Sequence, residues 1–307
     1  MAIQNKKGIS WTDATWSPFV GCSKISDGCL NCWSEKAAIL HYHKDFPVGW
    51  NGTVRYFPER LYWPAQRKKG MRVAVQLMGD IFHEQIPDSI LDEIFRVMLQ
   101  CPQHTFQILT KRHERLYYYT SAKARGEWFK RATNIWWGVT AENQAMLNLR
   151  YKYLMAAPVA LRYLSIEPML GYIDTNQPVE LAQQDVDAAY WKFTRSSRGK
   201  HPSMTEPLAY AAVHVKPDWV ICGGESGHKA RQCDIAWIRS LIAQCKTAGI
   251  PVHVKQLGQN AVDMLGPMRG AMYSAKDKKG AWLESLPPDL RLREFPSING
   301  EWPEGEI

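Results

Sequence analysis

Short apolar runs alternate with amphipathic stretches along most of this chain, and this pattern restricts its fold most. It is clearest in DIAWIRSLIAQCKTAGIPVHVKQ (234–256), where apolar residues recur at helical spacing, Gly249 ends the helix and VHVKQ follows as a strand. The other predicted strands are 73–80, 105–111, 134–142, 161–168 and 218–227, and the predicted helices are 87–100, a stretch around Trp128 and Phe129, and 145–155. This order predicts an α/β fold, a full or partial (β/α) barrel of about six or seven parallel strands. An open doubly wound sheet is the alternative.

Two segments interrupt the alternation. Residues 174–217 are polar and carry the basic, serine-rich run KFTRSSRGKH, so they are interpreted as an insertion between two strands. A solvated surface excursion is favoured there over a contact with nucleic acid or another partner. Residues 258–307 have little periodicity and are predicted to be a C-terminal extension that packs on the barrel. The barrel itself is therefore assigned to residues 1–257.

Composition and charge limit the class of protein, its location and its partners. The 307 residues are 45% hydrophobic and 22% charged, as expected of a globular protein. The start MAIQNKKGIS has no apolar core of a signal peptide, and no run of about 18 apolar residues occurs, so a cytoplasmic protein without membrane contact is expected. The formal charge of +8, from 38 basic and 30 acidic residues, favours anionic partners such as nucleic acid or nucleotides.

Three of the seven cysteines lie within the stretch GCSKISDGCLNCW (21–33). Their spacing is C-x6-C-x2-C, formed by Cys22, Cys29 and Cys32. In a chain expected to be cytoplasmic, clustered cysteines suit reduced thiolates that hold a metal better than a disulfide framework. When a protein supplies three thiolates to a 4Fe–4S cluster, the fourth iron keeps an open coordination site. The spacing therefore favours a cluster that binds a further ligand.

A zinc site is the alternative. His41 would complete a Cys₃His set, Cys22-x6-Cys29-x2-Cys32-x8-His41, and close the site with a fourth protein ligand. Such a chain would be a non-catalytic zinc module that binds nucleic acid through its basic surface. The remaining cysteines are dispersed and are predicted to be core residues: Cys101, Cys222, Cys233 and Cys245.

The cysteine loop near the first strand of a series of βα units resembles the radical S-adenosylmethionine superfamily. The strings that carry a narrower resemblance run along nearly the whole chain: ISWTDATWSPFVGCSKISDGCLNCW, MGDIFHEQIP, LTKR, WWGVTAEN, LSIEPMLG, VICGGESG and HVKQLG. Together they resemble a phage- and prophage-associated family that is defined by this three-cysteine motif and has no settled reaction. One departure concerns the loop, because the commonest superfamily spacing is C-x3-C-x2-C with an aromatic before the third cysteine. Asn31 occupies that position here, and Trp33 follows the cysteine.

The superfamily resemblance implies a mechanism. Its members chelate S-adenosylmethionine at the open iron, cleave the C5′–S bond with one electron, and use the deoxyadenosyl radical to abstract hydrogen from a substrate. The electron comes from a donor such as flavodoxin or ferredoxin. For this chain the substrate is open, with nucleic acid or a nucleobase derivative favoured by the net charge and the phage association.

Polar groups follow nearly every predicted strand, at the edge where such barrels bind ligands. The resemblance assigns the methionine amino group to the turn Gly79-Asp80, with the later turn Gly223-Gly224-Glu225 as the alternative. The further cofactor candidates are Thr140, Glu142, Ser165 and Glu167, and the candidates for a carboxylate or phosphate of the substrate are Lys111, Arg112 and Lys255. Thr140 and Glu142 suit ribose hydroxyls. Each residue taken singly also suits an ordinary surface loop.

Overall fold

The computed structural model contains a seven-stranded parallel sheet, and it describes residues 9–176, 184–185, 216–264, 271–272 and 282–297. The strands are β1 (Ala14–Trp16), β2 (Phe19–Val20), β3 (Arg55–Tyr56), β4 (Arg72–Val75), β5 (Thr105–Thr110), β6 (Ile135–Thr140), β7 (Leu161–Ile166), β8 (Trp219–Gly223), β9 (Cys233–Asp234), β10 (Val252–Gln256), β11 (Ala261–Asp263) and β12 (Ala271–Met272). The main sheet has the order β1-β4-β5-β6-β7-β8-β10, and every neighbouring pair is parallel. This open, curved sheet confirms the predicted partial (β/α) barrel.

Helices connect these strands as the alternation predicted. The helices are α1 (Trp33–His41), α2 (Asp88–Leu99), α3 (His113–Ser121), α4 (Lys123–Arg131), α5 (Gln144–Ala156) and α6 (Ile235–Ala248). Single 3-10 turns occur at Asp27–Cys29, Pro58–Arg60, Pro64–Gln66, Leu283–Ser285 and Pro288–Leu290. The Asp234 side chain accepts a hydrogen bond from Ala236 N at the start of α6, and Gly249 ends that helix in the left-handed region at φ +65°. This is the helix end that the sequence predicted.

The two faces of the main sheet build two separate cores. One face packs under the helices, where Trp137 of β6 stacks on Phe95 of α2 with ring centroids 5.1 Å apart. The other face fills the inside of the partial barrel with a cluster that includes Trp136, Tyr163 and Trp219. Because side chains alternate across a strand, the neighbouring residues Trp136 and Trp137 enter opposite cores. Both are fully buried.

Register brings the polar strand ends to one edge. Thr140 of β6 lies beside Ser165 of β7, and Ile166 lies beside Cys222 of β8. Because all seven strands run in one direction, the residues that follow them meet at the same edge of the sheet. The predicted site residues therefore lie at the mouth of the partial barrel.

Smaller elements complete the chain. Strands β2 and β3 pair antiparallel, and β12-β11-β9 form a three-stranded sheet. Residues 282–297 run beside β10, where Leu292 O accepts from Val254 N, and Phe295 packs against Trp219 inside the barrel.

Most of the predicted insertion 174–217, including KFTRSSRGKH, lies outside the described residues. Among the described helices, none is long and apolar enough to cross a membrane.

Candidate functional site

A cleft opens at the carboxyl ends of the main-sheet strands, with an empty volume of about 1200 Å³ that includes space open to solvent. The predicted site residues that line it are Cys22, Cys29, Cys32, Gly79, Asp80, Lys111, Arg112, Thr140, Ser165, Glu167, Gly224, Glu225 and Lys255. Two predicted cofactor residues, Glu142 and Gly223, are not part of this lining. The structure thus brings the cysteine loop and the strand ends together around one space.

The start of the cysteine loop is fixed against the end of β4. Gly21 N donates to Met78 O at 3.0 Å, and Gly21 pairs with Gly79 in an isolated parallel bridge. Gly21 has φ +126°, and a Cβ there would lie 2.1 Å from Thr53 O. Only glycine fits this position, because a side chain would meet backbone that cannot move away. A Cβ on Gly79 would lie 2.4 Å from Gly21 O, so the close approach that Gly79 permits is to the loop that carries Cys22.

Gln76 supports the same loop and was not predicted. It is buried and has φ +61°, an uncommon conformation for a residue with a side chain. Its amide accepts from Phe19 N at 3.1 Å and donates to Phe19 O at 2.9 Å. Gln76 N also donates to Trp16 O. These bonds position the segment that leads into the cysteine loop, and a glutamine after an apolar strand was the only sequence signal for them.

Glu142 anchors the middle of the loop. One carboxylate oxygen accepts from Gly28 N at 3.2 Å, and the other accepts from Arg150 Nη1 at 2.7 Å. Both side chains are almost completely buried. Burial raises the pKa of the Glu142 carboxyl, but the Arg150 guanidinium, a hydrogen bond from Ser26 and the Lys111 ammonium together lower that pKa below the usual value. The prediction that Glu142 binds ribose stays untested, and its observed partners are the loop backbone and an arginine.

Glu225 anchors the end of the loop. Its carboxylate accepts from the Asn31 amide at 2.9 Å and from Arg231 Nε at 3.0 Å and Nη2 at 2.6 Å. Arg231 Nη1 also donates to Asp27 O at 2.9 Å. Burial raises the pKa of Glu225, whereas the hydrogen bonds from Arg231 and Asn31 lower it. The net effect is a pKa below the usual value. The predicted GGE acid is thus bonded to the residue before Cys32.

The glycines of the GGE turn serve contacts within the sheet. A Cβ on Gly224 would lie 2.0 Å from Leu257 O, and one on Gly223 would lie 2.8 Å from Gln256 O. Gly224 N also donates to Gln256 O. The close backbone approach that the two glycines allow is therefore to the segment at the end of β10. Gly224 borders the cleft, whereas Gly223 is not part of its lining.

Asp80 lies at the cleft with its carboxylate already bonded. Oδ1 accepts from Thr110 Oγ1 at 2.6 Å and from Phe82 N at 3.0 Å. Oδ2 accepts from Lys111 N at 3.0 Å and lies 3.2 Å from Arg112 Nη1. These four partners match the acceptor capacity of a carboxylate. Burial raises the pKa of Asp80, but the Arg112 guanidinium and the hydrogen bonds lower it on balance. An amino group that binds Asp80 must displace one of these partners.

An ion pair faces the cleft on the opposite side. Lys255 Nζ lies 3.0 Å from Glu167 Oε1, and Ser165 Oγ donates to Glu167 Oε2 at 3.4 Å. Both charged side chains are mostly buried yet border the cleft. Thr140 borders the same space. This group offers one cation, one carboxylate and two hydroxyls to a polar ligand.

The three cysteine side chains are free thiols and are partly buried. Burial raises the pKa of Cys22 to about 12, and Asp80 adds to this effect while Arg112 opposes it. Among the described residues that line the cleft, there is no histidine and no fourth cysteine. Three thiolates without a fourth protein ligand suit a 4Fe–4S cluster with one open iron.

The geometry disfavours the Cys₃His zinc alternative. His41 is the exposed last residue of α1, nine residues beyond Cys32, which corresponds to about 13 Å along a helix. Zinc ligands must all lie within about 2.3 Å of one ion. In the described part of the chain, no three His, Cys, Asp or Glu side chains form a set that could hold a single metal ion. That finding covers Cys22, Cys29 and Cys32 as well, so it is the position of His41 that disfavours zinc here.

Comparison with known proteins places the chain in a family. A family model described as "Protein of unknown function (DUF5131)" matches residues 6–287. The chain belongs to this family. The match includes the cysteine loop and every strand end that borders the cleft, so the whole candidate site lies within the DUF5131 region. Neither a curated protein nor a solved structure matches the chain.

Proposed function

We propose that this DUF5131 protein is a radical S-adenosylmethionine enzyme that holds a 4Fe–4S cluster through Cys22, Cys29 and Cys32. The observation that carries the proposal is the position of these thiols, which line one cleft with the polar ends of the parallel strands. The lining described above contains no histidine and no fourth cysteine that would close the site. Cys22, Cys29 and Cys32 would then leave one iron open for the amino and carboxylate groups of S-adenosylmethionine.

When bound and reduced, the cluster supplies the single electron that cleaves the C5′–S bond of S-adenosylmethionine. The chain's own residues hold the cysteine loop over the barrel mouth. Gly79 receives the start of the loop, Glu142 its middle and Glu225 its end. Anchors at three strand ends give the loop a fixed position, which a ligand bound between the loop and the barrel requires.

The Glu167–Lys255 pair is suited to a zwitterionic ligand. Its carboxylate and ammonium lie 3.0 Å apart at the cleft, so they present opposite charges to the amino and carboxylate groups of an amino acid. Thr140 and Ser165 lie beside each other in the sheet and border the same space. We assign Thr140, Ser165 and Glu167 to cofactor binding together with the Gly79-Asp80 turn. Lys255, which the sequence suggested for a substrate group, is assigned to the cofactor because of its ion pair with Glu167, while Lys111 stays the candidate for an anionic substrate group.

The substrate in this proposal is nucleic acid or a nucleobase derivative, which the formal charge of +8 supports through attraction to phosphate. The electron donor is a small redox protein such as flavodoxin or ferredoxin.

Anaerobic reconstitution tests the proposal. The purified protein is incubated with iron and sulfide, desalted, and assayed for iron, zinc and visible absorption. The proposal predicts a brown protein with about four irons per chain. A colourless protein with one zinc per chain would contradict it and support the zinc module.

A further inference from the structure

Arg112 directly follows Lys111 at the end of β5, and its guanidinium is almost completely buried beside the cysteine loop. Nε donates to both carboxylate oxygens of Glu84 at 3.0 Å. Nη2 donates to Ser23 Oγ at 2.7 Å and to Ser23 O at 3.4 Å. A guanidinium has five N–H donors in a fixed plane, and three of its directions are already used by these two residues.

The remaining nitrogen lies between a carboxylate and a cysteine sulfur. Arg112 Nη1 is 3.2 Å from Asp80 Oδ2 and 3.7 Å from Cys22 Sγ. All three guanidinium nitrogens therefore have protein partners. The sequence assigned Arg112 to substrate binding, which stays a prediction, and the partners observed for its guanidinium are Glu84, Ser23, Asp80 and Cys22.

We infer that Arg112 is a positioning residue, which orients Cys22 as a cluster ligand and stabilises negative charge on its sulfur. The inference rests on the proposed cluster. Hydrogen bonds and charges around a ligating sulfur are among the factors that set the reduction potential of an iron–sulfur cluster. Reduction adds one negative charge to the cluster, so a cation in contact with a ligand sulfur favours the reduced state. Arg112 should therefore raise the potential.

Asp80 acts in the opposite direction through the same nitrogen. Its carboxylate shares Arg112 Nη1 with Cys22, so it partly offsets the positive charge that reaches the sulfur. Loss of Arg112 removes the cation and leaves the Asp80 carboxylate without its charge partner. Loss of the Asp80 charge leaves the cation uncompensated. The two changes should therefore shift the potential in opposite directions, with Arg112 the stronger because only it contacts the sulfur.

The test compares Arg112→Gln, Asp80→Asn and the control Arg231→Gln in reconstituted protein. Arg231 also carries a positive charge and contacts the loop, at Asp27 O, but its bonds are to oxygen atoms. Potentiometric titration followed by electron paramagnetic resonance should show a more negative potential for Arg112→Gln and a less negative potential for Asp80→Asn. The shift for Arg231→Gln should be smaller than either. Unchanged potentials, or shifts of the same sign in Arg112→Gln and Asp80→Asn, would overturn the inference.

Hydrogen exchange in the protein without metal provides a second measurement that does not depend on the cluster. Arg112→Gln should speed exchange in peptides that cover residues 21–26 and leave peptides that cover residues 29–33 close to the wild-type rate. Arg112→Lys, which keeps the charge but loses the planar fork, should also speed exchange at 21–26. Unchanged exchange in both variants would overturn the positioning role. Failure of the wild-type protein to take up iron would instead count against the proposed function.

Discussion

The side-chain amide of Asn31, the residue before Cys32, donates a hydrogen bond to the carboxylate of Glu225 at 2.9 Å. The same amide also donates to Lys229 O at 2.8 Å. In the radical S-adenosylmethionine superfamily, which the cysteine motif resembles, the commonest loop has an aromatic residue at the position that corresponds to Asn31. In this chain that position therefore bonds the cysteine loop to the turn after β8, rather than offering a ring to a ligand.

Removal of this contact should loosen the end of the loop. Asn31→Ala loses a hydrogen bond to a buried charged group, which should make opening of residues 27–32 easier by about 1.5–3 kcal/mol. Hydrogen exchange of peptides from this segment measures the effect. Asn148→Ala is the matched control, because the Asn148 amide contacts only Gln144 on the exposed face of α5 among the bonds described. Equal exchange at 27–32 in Asn31→Ala and the wild type would show that the bond does not hold the loop.

The buried pair Glu142–Arg150 should be important for stability and not for ligand contact. Glu142→Ala leaves the Arg150 guanidinium buried without its carboxylate, which should reduce the free energy of unfolding by about 3–5 kcal/mol. Urea unfolding measures this loss. Glu142 is not part of the cleft lining, and Glu142→Gln keeps an oxygen that can accept from Gly28 N and so anchor the loop, so a Glu142→Gln protein that folds should bind S-adenosylmethionine with unchanged affinity. A large loss of affinity in that variant would restore the predicted contact with ribose.

Three carboxylates should make the protein sensitive to acid. The folded-state pKa values of Asp80, Glu142 and Glu225 are all lowered. A lowered folded-state pKa means that the unfolded chain binds the proton first, so the stabilisation is present at neutral pH and is lost as the pH falls below about 4. Urea unfolding of the metal-free protein between pH 7 and pH 3 measures this loss. Glu225→Gln should lose less stability over that range than the wild type, and an identical loss would contradict the role given to Glu225.

The fold was more predictable than the site. Alternation of apolar and amphipathic stretches predicted β4 to β8, β10 and the helices α2, α4, α5 and α6, because the periods of strands and helices are visible in the order of apolar residues. It missed α3, and the predicted strand 73–80 ends at Val75 in the structure. Strands β1 and β2, of three and two residues, are too short to show such a period in the sequence. The glutamine that bonds Phe19 was also missed, since its role depends on a backbone conformation that residue order does not specify.

For the site, the sequence predicted which residues meet at the barrel mouth but not which partners they choose. Glu142 and Glu225 were expected to face a ligand, and both bind the cysteine loop. Arg112 was expected to bind substrate, and it contacts Cys22. Strand order fixes the edge at which a side chain appears, whereas the pairing of charges at that edge depends on distances between segments far apart in the chain.

The three cysteines should be required for iron and His41 should not. Cys22→Ala, Cys29→Ala and Cys32→Ala should each abolish iron loading, because each removes one of three thiolates. His41→Ala should keep the iron content, since His41 is exposed at the far end of α1. Cys101→Ala is the control for loss of a thiol outside the cleft and should also keep it. Loss of metal in His41→Ala would support a fourth protein ligand and contradict the open iron.

Cleavage of S-adenosylmethionine tests the central claim most directly. The reconstituted protein is reduced with dithionite without oxygen, supplied with S-adenosylmethionine, and assayed for 5′-deoxyadenosine and methionine. The account predicts that both products form in the wild-type protein and that neither forms in Cys32→Ala treated in the same way. A wild-type protein that carries the cluster but forms neither product, or one that binds zinc and stays colourless, would contradict it.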